Sequence, residues 1–111
     1  MKHILKAFIY SCQGLCYTFK NEVAFRYDLI VFVLGMILAL ILPVSKLESA
    51  LMIFSLFFIL LMELTNTAIE TAINRISVKR HPLSGHAKDV GSSLVLLAFI
   101  NAALIWLVIL I

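Results

Sequence analysis

Long uncharged runs dominate the pattern of apolar and polar positions along the chain. Residues 29–45, 49–62 and 90–111 carry no charge, and these runs predict membrane-spanning helices at about residues 29–47, 49–75 and 88–111. A transmembrane helix needs about 20 predominantly apolar residues, and each run provides this length, the second by continuing past its apolar part. The sequence therefore predicts an all-α integral membrane protein with three spans in a single domain, residues 1–111.

The amino-terminal part has a different pattern. Between about residues 3 and 20, apolar side chains recur every three or four positions, and the polar side chains fall mostly elsewhere. This spacing predicts an amphipathic helix that lies in the membrane interface and does not span. Packing against a partner protein is the alternative. Residues 21–28 predict a polar break before the first span, and residues 43–46 and 77–85 predict turns.

Composition and charge placement indicate how the chain sits in a membrane. The sequence is 63% hydrophobic and 14% charged, which is too apolar for a small soluble domain. Four lysines and arginines precede the first uncharged run, Lys46 is the only one between the first and the second, and four lie between the second and the third. This distribution predicts a cytoplasmic amino terminus and an outward-facing carboxyl terminus. It explains the net charge of +3 and disfavours nucleic-acid binding.

The second predicted span carries the candidate chemistry. At about 100° per residue, five polar residues after its apolar outer half share one face of the helix. They are Glu63, Asn66, Thr67, Glu70 and Asn74. A carboxylate at membrane depth costs about 2.5–3.5 kcal/mol on insertion scales, so two on one face indicate an inward-facing polar site. A helix–helix seam of hydrogen bonds is the alternative, but amides alone could form one.

Glu63 and Glu70 are separated by about 10 Å along the helix axis, too far to share one proton or one ion. This spacing predicts a subsite for a soluble, charged ligand near the cytoplasm and a deeper one for lipid. Glu22, Lys88 and Asp89 lie at the same cytoplasmic side. Carboxylates combined with phosphates and waters suit Mg²⁺. If Lys88 and Asp89 do not belong to this site, an ion pair between them at the membrane interface is the alternative. The sequence has no P-loop motif.

Three motifs resemble the signature of the prokaryotic diacylglycerol kinases. They are NEVAFR at residues 21–26, ELTNTAIE at 63–70 and HPLSGHAKDVGS at 81–92. The likeness extends over nearly the whole chain. It implies a homotrimer of three-span subunits in the bacterial inner membrane. It also implies a kinase that transfers the γ-phosphate of ATP, with Mg²⁺, to the hydroxyl of diacylglycerol and gives phosphatidic acid. A related branch phosphorylates undecaprenol, but the motifs look closer to the diacylglycerol branch.

The resemblance also implies a role for each residue that matches the motifs. Glu63 is expected to be the general base on the lipid hydroxyl, Glu22 and Glu70 the metal ligands, and Asn66 a supporting residue. The expected nucleotide contacts are Tyr10, Glu22, Glu70, Lys79, Arg80, His81, Lys88 and Asp89. The expected lipid-binding residues are Ala24, Phe25, Arg26, Tyr27, Asp28, Glu63 and Ser92. At two positions the sequence departs from the family pattern, since Asn74 replaces an aspartate and Lys79 an acidic residue.

Two other classes of function and one question of assembly stay open. A cation- or proton-coupled transporter would need acids toward both faces, whereas Glu48 is the single outer acid. A non-enzymatic assembly subunit would leave carboxylates at two depths unexplained. Because one surface helix and three spans form a thin bundle, we expect another copy to cover the polar stripe and share the active site. We expect Trp106 to anchor the outer interface.

Overall fold

The computed structural model describes all 111 residues and consists of four α-helices in sequence. They are α1 (Lys2–Asn21), α2 (Val23–Ile41), α3 (Lys46–Ile76) and α4 (Pro82–Leu110). The last three are long and apolar enough to cross a membrane. The predicted all-α architecture with three long apolar helices is therefore confirmed.

Helix α3 lies at the centre of the bundle and packs against α2 and α4. Its side chains Leu56 and Ile59 form a buried cluster with Ala98 and Ala102 of α4. Alanine has a small side chain, so it lets two helix backbones approach closely, as is common in membranes. Because this packing holds α3 against α4, the two helices together position the polar stripe.

Trp106 belongs to this packing, and its expected role as an interfacial anchor stays a prediction. The half-buried indole N–H donates to the Met52 carbonyl oxygen and the Ser55 hydroxyl, each at 3.2 Å. Ser55 is fully buried and in turn donates to the Met52 carbonyl oxygen at 2.7 Å. Buried Trp N–H groups usually find such a partner. The side chain therefore holds α4 against α3.

The turn between α2 and α3 is short, as predicted. Helix α3 begins with a capping box, in which the Glu48 backbone N–H donates to the Ser45 hydroxyl at 3.1 Å. The Ser45 backbone N–H donates to the Glu48 side chain at 2.9 Å. Two amide groups that the first helical turn leaves unpaired are satisfied in this way. The outer acid, Glu48, thus has a structural partner.

The α1–α2 and α3–α4 connections differ from the sequence-based expectation. The predicted polar break at 21–28 is reduced to one extended residue, Glu22, because residues 23–28 are already helical. The predicted turn at 77–85 is also shorter, since α4 begins at Pro82. Proline is favoured at the first helical position, and the His81 ring nitrogen caps the helix by accepting from the Leu83 N–H at 3.1 Å.

Helix α1 projects away from the bundle. Its single buried residue is Thr18, near its carboxyl end. The molecule measures 50 × 40 × 22 Å. The first extent matches α3, because 31 residues at about 1.5 Å each span about 46 Å. The second extent exceeds the width of three packed helices of about 10–12 Å each, so α1 extends sideways from the end of the bundle at which α2 begins.

Candidate active site

Glu22 lies at the corner between α1 and α2. Its backbone is extended, with φ −116° and ψ 108°, and its N–H donates to the Thr18 carbonyl oxygen at 2.8 Å. The Arg26 guanidinium donates to the carbonyl oxygens of Phe19 and, at 3.2 Å, of Lys20. These carbonyls end α1 without intrahelical partners, which Arg26 supplies. Arg26 therefore fixes the corner that carries Glu22.

Glu63 is buried between α2 and α3, with 9% of its surface exposed. Its carboxyl group faces the Asp28 carboxyl on α2, which is equally buried. The Asp28 Oδ2 atom is buried without a hydrogen-bond partner. The two deepest acids of the site are thus neighbours across the α2–α3 interface.

The carboxylates of Glu22 and Glu70 are also close enough to Glu63 to act on its charge. The charges of these acids reach Glu63 from α3 and from the α1–α2 corner, but within one chain the acids do not form a metal cage. Exposure increases along the stripe toward the carboxyl end of α3, where Glu63 and Thr67 are buried, Glu70 is half-buried and Asn74 is exposed. The single chain covers the Glu63 end of the stripe and leaves the Asn74 end accessible.

Asn66 connects this stripe to α4. Its Nδ2 donates to the Glu70 carboxylate at 3.3 Å. Its Oδ1 is buried without a hydrogen-bond partner and lies against Gly91, where a Cβ atom would collide with it. Gly91 is the position at which α4 passes closest to this side chain. The glycine thus leaves room for the Asn66 amide, which orients Glu70.

Lys88 joins the end of α3 to the beginning of α4. Its ammonium donates to the Asn74 Oδ1 at 2.8 Å. Lys88 lies in the second turn of α4, because α4 begins six residues earlier than the predicted third span. The amide groups that the first helical turn leaves free therefore lie near Pro82.

The residues around Pro82 line a cavity of about 490 Å³ between the α3–α4 turn and the start of α4. Four of its lining residues are basic or histidine: Lys79, Arg80, His81 and Lys88. No acidic residue lines it. A concentration of positive charge without counter-ions attracts anions such as phosphates. The four residues are among the expected nucleotide contacts.

Other predicted site residues belong neither to the group of acids around Glu63 nor to the lining of the basic cavity. Tyr10 on α1 and Asp89 and Ser92 on α4 are exposed and make no side-chain hydrogen bonds within the chain. In the expected lipid-binding segment, Phe25 is buried in the corner, while Ala24 and Tyr27 are exposed.

Sequence reasoning missed the contacts that connect the helices. The bond from Lys88 to Asn74, the capping by Arg26 and the contact of Gly91 with Asn66 were not predicted. A glycine inside an apolar helix is a signal for close helix approach, and it could have drawn attention to Gly91. The partners at the other ends of these contacts lie far away in sequence, so no local pattern indicates them.

Comparison with known proteins identifies the family of this chain. The family model described as prokaryotic diacylglycerol kinase matches residues 9–110. A diacylglycerol kinase of Haemophilus influenzae is 40% identical over 106 residues, covering 96% of this chain and 90% of the relative. Diacylglycerol kinases of Escherichia coli K12 and Pseudomonas aeruginosa are 39% and 41% identical, and 88% and 89% of their lengths are covered. These alignments cover 96% and 99% of this chain. The chain belongs to the prokaryotic diacylglycerol kinase family.

Proposed function

We propose that this protein is a membrane lipid kinase that transfers the γ-phosphate of ATP to the hydroxyl of diacylglycerol and yields phosphatidic acid. The observation that carries the proposal is the division of the site along α3. A buried carboxyl group, Glu63, lies at lipid depth, and a basic cavity lies at the cytoplasmic ends of the same helices. A lipid alcohol and a soluble polyphosphate would each meet groups of suitable chemistry.

In this proposal Glu63 accepts the proton of the lipid hydroxyl as its oxygen forms a bond to the γ-phosphorus. The bond from that phosphorus to the bridging oxygen breaks, and ADP leaves. Phosphoryl transfer relies mainly on positioning and charge stabilisation. Asn66 orients Glu70 through the hydrogen bond described above. Lys88, with Lys79, Arg80 and His81, would stabilise the charge of the phosphates, and Tyr10 and Asp89 would contact the nucleotide.

Glu22 and Glu70 would hold Mg²⁺. The two carboxylates come from different elements, the α1–α2 corner and α3, and supply the hard oxygen donors that the ion prefers. Mg²⁺ is commonly bound by one or two carboxylates together with substrate phosphates and waters. When bound, the ion would neutralise charge on the phosphates.

The lipid would lie beside the α1–α2 corner, near Ala24, Phe25, Tyr27 and Asp28, with Ser92 on α4 contributing from the other side. Arg26 would act there by fixing the corner, because its guanidinium is bound to the carbonyls of α1. Helix α1 would lie in the membrane interface. Its many exposed apolar side chains, Phe8 and Phe19 among them, would be covered by the acyl region.

Three copies would assemble around the open, cytoplasmic end of the stripe, as a homotrimer in the bacterial inner membrane. Lipid cannot solvate the half-buried Glu70, so a neighbouring copy would cover it. The amino terminus and the α3–α4 turn would face the cytoplasm, where ATP is present, and the carboxyl terminus would face outward. Sharing of the active site between subunits stays a prediction.

Purified protein in lipid–detergent micelles, supplied with Mg²⁺ and ATP labelled in the γ-phosphate, tests the function. Diacylglycerol, undecaprenol and ceramide are offered in parallel. Labelled phosphatidic acid is expected, with weaker labelling of the other lipids. Preferential labelling of undecaprenol would instead assign the chain to the related branch. No labelling of any lipid, under conditions where a relative from the family is active, would refute the kinase proposal.

A further inference from the structure

The basic cavity at the α3–α4 turn contains one lysine whose position is fixed by a neighbouring side chain. Lys88 lines the cavity, and its ammonium donates to the Asn74 amide oxygen at 2.8 Å. The bond joins the last turn of α3 to the second turn of α4. Lysine otherwise has a flexible four-carbon stem. This bond therefore selects one direction for a group that would be mobile without it.

Asn74 also belongs to the polar stripe. It follows Glu70 by one helical turn, so the two side chains lie on the same face of α3, about 6 Å apart along the axis. The Lys88 side chain therefore connects the stripe, through Asn74, with the basic cavity that it lines. A polyphosphate that extended from one region to the other would pass this ammonium.

The chemistry of the acceptor determines what the ammonium can still do. An amide oxygen accepts a hydrogen bond without carrying a charge, and an ammonium has three N–H donors. Two donors and the full positive charge of Lys88 therefore stay available to a ligand. A carboxylate at position 74 would have the same shape and accept the same bond, but it would form an ion pair and reduce the attraction of the cavity for anions.

We propose that Asn74 is a positioning residue that sets the affinity for the phosphate donor, because its neutral amide orients the Lys88 ammonium toward the polyphosphate without neutralising it. The inference rests on the proposed function, in which the basic cavity binds ATP. It adds a determinant of nucleotide affinity that acts through Lys88 and does not itself touch the ligand.

The test is the isosteric variant Asn74→Asp, measured at low and high ionic strength in the full-length protein. We expect KM for Mg·ATP, and Kd for a non-hydrolysable ATP analogue, to rise about two- to fivefold, the effect of one exposed ion pair. The value of kcat and the KM for diacylglycerol should change little. Added salt should reduce the difference between variant and wild type, because it screens exposed charges.

Two further variants separate this effect from others. Gln13→Glu adds the same charge on exposed α1, and it is expected to leave KM for Mg·ATP unchanged. Asn74→Ala removes the acceptor and should raise KM without the altered salt dependence. If Asn74 were only a structural tether, Asn74→Asp would bind the analogue as tightly as wild type or more tightly, and that result would overturn the inference. A wild-type protein that labels no lipid would refute the proposed function instead, since analogue binding is measured independently of transfer.

Discussion

The carboxyl groups of Asp28 and Glu63 face each other across the α2–α3 interface, in a part of the chain where both are buried. Asp28→Asn keeps a polar side chain of the same shape that can donate to Glu63, so most of the activity should be retained. Asp28→Leu leaves the Glu63 carboxyl without its partner. It should lower stability by about 1–3 kcal/mol, the cost of an unsatisfied buried polar group.

Initial rates and half-lives of thermal inactivation in micelles measure both effects. Equal loss of activity in Asp28→Asn and Asp28→Leu would mean that the Asp28 carboxyl has a role of its own beyond its contact with Glu63.

Gly91 should not tolerate even one added methyl group. In Gly91→Ala the new Cβ would collide with the Asn66 Oδ1, so Asn66 must move and its hydrogen bond to Glu70 is lost. Overpacking of this kind costs about 1–3 kcal/mol. We expect lower thermal stability and a clear loss of activity. In Gly14→Ala the added Cβ has no neighbour within 4 Å, so a gain of up to about 1 kcal/mol is expected there.

A second substitution identifies the colliding group. Asn66→Ala in the Gly91→Ala protein removes the Oδ1 atom and should restore thermal stability without restoring activity. If stability is not recovered, the collision at Gly91 involves another group.

Glu63 and Glu70 should fail in different ways when each becomes glutamine. Glu63→Gln removes the proposed proton acceptor, so transfer should fall by about 10²–10⁴-fold while binding of the ATP analogue is retained. Glu70→Gln removes a proposed metal ligand, so activity should fall and the Mg²⁺ concentration needed for half-maximal activity should rise. Equilibrium binding and Mg²⁺ titrations distinguish the two. The assignment is falsified if Glu63→Gln abolishes nucleotide binding and Glu70→Gln leaves it intact.

Mixing two inactive variants tests whether neighbouring subunits share one site. If Glu22 of one copy acts with Glu63 of the next, Glu22→Ala and Glu63→Gln subunits should regain activity after they exchange. Mixed oligomers would then contain interfaces with both wild-type residues, which neither homo-oligomer has. Co-purification with two different tags verifies the exchange. Verified mixing without recovery at any ratio would show that each chain combines its own Glu22 and Glu63.

Orientation can be measured by labelling single cysteines in intact cells. Cys12 and Cys16 are exposed free thiols and must first be replaced, for example by alanine. Cysteine at position 46 should then react with an impermeant reagent added outside, whereas cysteine at position 79 should react only after the membrane is opened. The opposite pattern would place the basic cavity away from cytoplasmic ATP.

The sequence predicted the helices and the polar stripe well because both depend on local periodicity. Uncharged length indicated α2, α3 and α4, and the 3.6-residue repeat placed Glu63 and Glu70 on one face. The boundaries of α2 and α4 were less accurate. Polar residues such as Asn21 and Asp28 predicted a break, but Asp28 is helical and points into the α2–α3 interface, where it faces Glu63.

The contacts that arrange the site were outside the reach of local patterns. Arg26 was expected at the lipid from its motif, whereas its guanidinium binds the end of α1, because the unpaired carbonyls of Phe19 and Lys20 are nearby. Asn74 and Lys88 are likewise 14 residues apart in sequence. They form a hydrogen bond only because the turn after α3 brings the start of α4 beside the end of α3. Motifs and periodicity identify the candidate site residues, but helix packing determines which groups these residues contact.

The length of α3 has a consequence for where the two reactants meet. At about 1.5 Å per residue, only about 20 of its 31 residues are needed to cross a hydrocarbon core of about 30 Å. With the first turn at the outer boundary, Glu63 comes to the inner boundary of the hydrocarbon, and Glu70 lies about two turns farther, among headgroups and water. A lipid that cannot dissolve in water and a nucleotide that cannot partition into oil would thus reach adjacent turns of one helix, each without leaving its own phase.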